Sequence, residues 1–280
     1  MKKFKLAIIL ISLIISTQNE AKEKIKVTIL HTNDTHSQVE PTDVSTLKTS
    51  DMGGYARRMG VIKKIRSEEP NVLLFDAGDF FQGTAYFNFF NGRIEVDALN
   101  RMQYDAVTLG NHEFDNGMDT LASVLKKAAF PIISSNYNVT NTPIADYVKP
   151  YIILKRFGLK IGVMALNVQP KSLIIESNYR GLNYNDPIEE ANKMAENLKV
   201  KQKCDLIICL SHLGSDANAK AVNDFQVARE TRYIDVIIGG HSHTMLDNAK
   251  EKNLDGKSVV IAQVAKSGLY LGKIELELLK

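Results

Sequence analysis

The chain has 280 residues, of which 44% are hydrophobic and 24% charged, proportions that fit a globular fold and exclude a disordered or low-complexity chain. The formal net charge is +3, but three lysines and one acid fall in the first 21 residues, so the remainder is close to neutral. With no basic stripe, the chain lacks the electrostatic footprint of a protein that binds a nucleic-acid duplex.

Lys2, Lys3 and Lys5 precede the apolar run Leu6 to Ile15, interrupted only by Ser12. A positive stretch followed by an apolar run well short of the roughly 20 residues of a membrane span is the pattern of a secretory signal. Residues 1–21 are therefore expected to be a signal peptide cut near Ala21, and residues 22–280 a single secreted or periplasmic domain. No cysteine directly follows the run, so no lipid anchor is expected, and no later run is long enough to span a membrane.

Ile25 to Leu30 alternates with Lys and Thr as a strand, then reads His31-Thr32-Asn33-Asp34-Thr35-His36. Asp34 and His36 are two apart, so an extended segment points both the same way and makes a chelating pair. An Asx-turn with a stray histidine is the alternative. His31 is expected to be a structural strand-end residue. A helix with Tyr55, Met59, Ile62 and Ile65 at helical spacing covers Gly53 to Glu69 and ends at Pro70. Asn71 to Phe75 is a buried strand leading into Asp76-Ala77-Gly78-Asp79, where Gly78 permits close backbone approach. The aromatic stretch Phe80 to Phe90 is expected in the core, and Arg93 to Met102 as a helix.

The strand Ala106-Val107 hands over through TLGNHEFDNG to a helix, Met118 to Lys127. Asn111 offers a neutral oxygen ligand and His112 a titratable ring. Asp115 lies three residues on, so a helical turn places its carboxylate beside that ring and favours the charged imidazole. Taken alone, these residues also fit a polar loop with a capping Asp.

Further on, the pattern predicts a strand at Pro131 to Ser135 and a polar loop over Asn138 to Pro150. A hairpin, Tyr151 to Asn167, turns near Gly158, and a helix over Ile188 to Lys201 is capped by Asn185-Asp186-Pro187. The strand Cys204 to Leu210 ends in Ser211-His212. Its two cysteines are too far apart along an extended run to bridge, so they are expected as buried free thiols. A short helix over 217–229 precedes the strand Asp235 to Ile238, which ends in Gly239-Gly240-His241-Ser242-His243. Ser258 to Val264 and Tyr270 to Leu279 read as closing antiparallel strands. The alternation of strands and helices makes an α/β domain with strands enough for two sheets.

All 6 histidines fall in polar clusters after strand-like runs, and none lies inside a predicted helix. Five strand ends offer Asp34 and His36, Asp79, Asn111, His212, and His241 with His243, more than one tetrahedral zinc can use. This mixed oxygen and nitrogen set suits two divalent ions, with Zn, Mn, Co and Fe all acceptable. Two ions roughly 3.5–4 Å apart suit phosphoryl hydrolysis by an activated water. His112 and Asp115 would stay outside the ligand shell, free to act on the phosphoryl oxygens or the leaving group.

The runs HTNDTH, GDFFQGT, GNHEFD, SHLG and GGHSHT, in that order from about Lys26 to Gly272, resemble the successive motifs of the 5′-nucleotidase family within the calcineurin-like metallophosphoesterases. The resemblance implies a four-layer sandwich of two mixed β-sheets flanked by helices. It implies one ion held by Asp34, His36, Asp79 and His243, and a second by Asp79, Asn111, His212 and His241, with Asp79 bridging. It makes His112 and Asp115 the catalytic dyad and small-molecule phosphate esters, above all nucleotides, the substrates. A broad phosphomonoesterase or a 2′,3′-cyclic nucleotide phosphodiesterase is the alternative enzyme. A non-catalytic binding protein is expected to have lost a ligand or the dyad, and none is lost. Family members continue into a second domain whose aromatic residues clamp the base. For this chain two outcomes are expected: hydrolysis of many small phosphate monoesters with little preference among bases, or, alternatively, a separate polypeptide that supplies the stacking groups; no substrate-binding residue is assigned within this chain.

Overall fold

The computed structural model describes residues 24–43, 48–216 and 220–279. The lysine-flanked N-terminal run, with the expected signal peptide, lies outside the described residues.

β1 (Lys24–Thr32), β2 (Val72–Asp76), β3 (Ala106–Thr108) and β4 (Ile132–Ile133) pair in parallel in chain order. Parallel neighbours need a crossover, and helices supply it. α1 (Tyr55–Glu68) follows β1, α2 (Ala85–Phe90) and α3 (Arg93–Met102) follow β2, and α4 (Met118–Leu125) follows β3. The polar segment after β4 carries two short strands, β5 (Tyr137–Asn138) and β6 (Val148–Lys149), and β6 closes one edge of this sheet. The predicted hairpin forms as β7 (Tyr151–Arg156) and β8 (Leu159–Asn167). Phe157 and Gly158 both take positive φ, as a two-residue hairpin turn demands.

The hairpin opens the second sheet. β9 (Asn183–Tyr184) pairs with β5, and α5 (Pro187–Glu196) starts at Asp186, whose carboxylate accepts from Ile188 and Glu189 N–H. β10 (Leu206–His212), α6 (Asp224–Glu230), β11 (Val236–Gly239), β12 (Met245–Lys252), β13 (Ser258–Val264) and β14 (Gly272–Leu279) complete the chain. The sheet orders are β14-β1-β2-β3-β4-β6 and β12-β13-β11-β10-β8-β7. The two last strands do not pair with each other: β13 runs parallel to β11 and antiparallel to β12, while β14 crosses to the other sheet and pairs antiparallel with β1. The strand Met245–Lys252, charged and half exposed, lacked an apolar pattern. Of the helix expected over 217–229, the first three residues lie outside the described residues, and the helix itself begins at Asp224.

Side chains alternate across a strand, yet β2 and β10 are largely apolar on both faces because both are covered. Ile29, Leu73, Phe75, Val163, Ile208 and Ile238 meet between the sheets. Leu30, Leu74 and Val107 face α1, α3 and α4 on one outer side. Met164, Ile207, Cys209 and Ile237 face α5 and α6 on the other. The result is the expected helix, sheet, sheet, helix layering. Both cysteines are free and buried. The aromatic stretch divides: Phe80, Phe81 and Phe87 are core, whereas Phe89 is 79% exposed, contrary to expectation. No helix among the described residues is long and apolar enough to cross a membrane.

His31 is fully buried, and burial pushes its pKa down to about 4, as suits a neutral core ring. It faces Gly272 across the β1–β14 ladder, where an added Cβ would collide with its ring at Nε2. Overpacking of this kind costs about 1–3 kcal/mol. Gly272→Ala should destabilise the protein by that amount, read as a lower urea midpoint with an unchanged m-value. An unaltered midpoint would contradict the packing assigned to His31.

Candidate metal centre and dyad

Parallel pairing brings the carboxyl ends of β1, β2 and β3 to one side of the first sheet and those of β10 and β11 to the same side of the second. The five loops that follow converge there, as ligand sites do in open α/β sheets. Asp34 and His36 come from the loop after β1, Asp79 from that after β2, Asn111 and His112 from that after β3. His212 ends β10, and His241 and His243 follow β11.

Two groups of ligand-type side chains result: Asp34, His36 and His243 in one, Asp79, His212 and His241 in the other, the atoms of each within 4.8 Å of one another. In the first, His36 Nε2 lies 3.1 Å from His243 Nε2, and His243 Nε2 lies 3.4 Å from Asp34 Oδ1. In the second, His212 Nε2 lies 3.0 Å from Asp79 Oδ2. Asn111 Oδ1 joins this group 3.0 Å from His241 Nδ1. The groups abut, with Asp34 Oδ1 4.0 Å from His212 Nε2. All seven expected ligand residues are therefore brought together.

The donor set fits divalent cations. His212 Nδ1 donates to the Ala77 carbonyl at 2.7 Å, which turns Nε2 toward Asp79, the orientation of a metal-binding histidine whose other nitrogen is hydrogen-bonded. That Nε2 is buried and out of line for a hydrogen bond despite its short contact with Asp79. Burial holds His36 below its ordinary pKa and His241 down at about 4, so both rings are neutral, as ligands must be. Burial also lowers His212, but the Asp79 carboxylate more than reverses this, to about 10. The charge of His212 in turn overcomes burial and holds Asp79 below the usual carboxylate range.

Crowding these groups distorts the backbone. Asp34, His36, Asp79, His241 and His243 all have φ between 46° and 71°. Non-glycine residues rarely occupy this region, and they persist there only where surrounding contacts hold them. Glycines provide the close approach: a Cβ on Gly110 would collide with the Asp79 carboxylate, and one on Gly240 would lie 2.8 Å from His212 Nδ1.

The dyad forms as spaced. A one-turn 3-10 helix over His112–Phe114 sets Asp115 Oδ2 2.8 Å from His112 Nδ1. The ring lies 5.4 Å from that of His36, centroid to centroid, so it borders the first group. The hydrogen bond that His112 Nδ1–H donates to Asp115 raises the His112 pKa, against burial.

Sequence reasoning missed the residues that brace these loops. Asn33 donates to Asp34 Oδ2 at 2.7 Å and to the Ala265 carbonyl at 2.7 Å. Gln263 accepts from Ser242 and Thr244 and donates to Gly240, fixing the loop of His241 and His243. Asn167 ties β8 to Thr108, Leu109 and Ser134 of the other sheet. Buried Glu113 accepts three backbone N–H groups, which hold it as a carboxylate against the upward push of burial on its pKa. Each reads in the sequence as an ordinary polar residue, since its partners are distant in the chain or are backbone.

Residues 27–245 match the calcineurin-like phosphoesterase model, and the chain belongs to that family. Among curated relatives, it is 34% identical to snake venom 5′-nucleotidase from Crotalus adamanteus over 91% of this chain and 46% of that protein. Among solved structures, 5′-nucleotidase precursor from Thermus thermophilus superposes with a TM-score of 0.82 at 33% identity, over 90% of this chain and 51% of that one. Calcineurin-like phosphoesterase YfkN from Bacillus subtilis superposes with a TM-score of 0.76 at 28% identity, over 91% of this chain and 86% of that one. The chain thus spans about half the length of the curated 5′-nucleotidases it matches.

A raised His112 pKa means that the Asp115 contact favours the protonated ring. Its contribution to stability is complete below the ordinary histidine value of about 6.5 and is lost as pH rises through the folded value. In the metal-free protein, Asp115→Asn should move the His112 NMR titration midpoint downward. An unmoved midpoint would remove Asp115 from that role.

Proposed function

We propose that residues 22–280 form an exported metallophosphatase domain that hydrolyses nucleotide phosphate monoesters at a dinuclear metal centre. The observation that carries this reading is the pair of abutting ligand groups, Asp34–His36–His243 and Asp79–His212–His241, with the His112–Asp115 pair on their border. Asp34, His36, Asp79 and His243 would hold one ion, and Asp79, Asn111, His212 and His241 would hold the other, with Asp79 common to both sets. When bound, the ions supply Lewis acidity to the phosphoryl group and to the attacking water.

His112 stays outside the ligand shell. Its Nδ1 is held by Asp115, so Nε2 carries the hydrogen bond to the phosphoryl oxygen or to the leaving-group oxygen. The hydrogen bond to Asp115 favours the protonated ring against burial, and the Asp115 carboxylate stabilises the charge. Nucleotides are the preferred substrate class because the five sequence motifs and the 5′-nucleotidase relatives point the same way. We assign no base-recognising group among the described residues. Aromatic rings that stack on the base, contributed from outside the described residues, are what this chemistry calls for, with stacking adding roughly 1–3 kcal/mol. Export rests on the lysine-flanked apolar run at residues 2–15.

The test is phosphate release from AMP, an aryl phosphate, a 2′,3′-cyclic nucleotide and a diester, with Zn, Mn, Co and Fe supplied in turn. His112→Asn should keep wild-type metal content and lose about 10²–10⁴-fold in kcat. Metal loss in that variant would instead make His112 a ligand. Asp79→Ala should lose metal at both positions, and two ions per chain in the variant would exclude the bridge.

A further inference from the structure

We propose that Glu113 is a positioning residue for the metal centre, acting through the backbone of Asp79. The inference rests on the functional reading above. Glu113 lies between His112 and Phe114 in the dyad turn, is 2% exposed and touches no ligand atom. Both its oxygens accept from backbone donors, which come from two different loops. Oε2 accepts from Asp79 N–H at 3.0 Å and from Gly110 N–H; Oε1 accepts from Phe81 N–H at 3.0 Å.

The arrangement is reciprocal. While the Glu113 carboxylate holds the backbone of the Asp79 loop, the Asp79 carboxylate accepts from His112 N–H at 2.8 Å. Each loop's side chain is thus bound to the other loop's main chain, as a capping box binds its two ends. This crossed pair fixes the distance between Asp79 and the Asn111–His112 segment. It also supplies the external contact that a non-glycine residue at φ 54°, such as Asp79, requires. Gly110 packs against the Asp79 carboxylate, whose Oδ1 accepts from His112 N–H while its Oδ2 lies 3.0 Å from His212 Nε2.

A carboxamide cannot replace this group. A glutamine side chain in its place would have one acceptor oxygen for donors that now use two, and its own NH₂ would face a backbone N–H. An aspartate keeps both oxygens but is one methylene too short to reach Asp79, Phe81 and Gly110 together.

Glu113→Gln and Glu113→Asp, stripped of metal and titrated with Mn²⁺ by calorimetry, test this. With wild type binding two ions, Glu113→Gln should bind at least one of them tenfold or more weakly. Its kcat at saturating metal should fall about tenfold or more with KM nearly unchanged. Glu113→Asp should lie between, and it decides the matter if Glu113→Gln does not fold. A lowered melting temperature with wild-type ion affinity and kcat would mean a merely structural role and would overturn the inference alone. A wild-type chain that binds no ion would overturn the functional reading, and this inference with it.

Discussion

Imidazole and carboxylate lone pairs that converge within 3–4 Å repel unless a proton or a cation lies between them, and this constraint organises the carboxyl end of both sheets. His36 Nε2 and His243 Nε2 face each other at 3.1 Å, and His212 Nε2 faces Asp79 Oδ2 at 3.0 Å. Such an arrangement is held by the rest of the fold. Left-handed backbone at five of the seven candidate ligands shows the cost of that convergence. The glycines beside them show the space it needs.

Two layers of restraint supply the opposing force. The apolar faces of the sheets lock β1, β2, β10 and β11 in register, so their ends cannot drift apart. Burial of a large aliphatic side chain contributes about 1.5–3 kcal/mol, so this cluster outweighs local strain of about 1–3 kcal/mol per residue. Closer in, buried Asn33, Asn167 and Gln263 join loops distant in the chain. Each saturates several backbone or side-chain groups, which is what makes a buried polar residue favourable. Buried groups also carry opposite pKa displacements: His241 is held low by burial, whereas His212, beside Asp79, is held high. Local charge, not residue type, separates them.

Outside this region the chain follows ordinary rules. Charged β12 and β14 lie at the sheet edges, where lysines and glutamates discourage pairing with other chains. Lys26, Glu69, Lys273 and Glu275 form a largely exposed ion-pair cluster there, a type of contact that contributes little singly.

Much of this was legible in the amino-acid sequence. Apolar runs ending in His, Asp and Asn located the strand ends, because parallel strands buried on both faces are continuously apolar and their carboxyl ends carry the polar groups. The His112–Asp115 contact followed from helical spacing, a local property. The hairpin at Gly158 and the cap at Asp186 were local as well. Tertiary structure alone decided which strand ends meet. It put β14 beside β1 and β13 beside β11, pairings with no local signal, since either strand reads the same in both sheets. It divided the aromatic stretch into a buried Phe81 and an exposed Phe89. It also gave Glu113, Asn33, Asn167 and Gln263 their bracing roles, because a polar residue's partners are set by long-range packing and leave no periodicity in the chain.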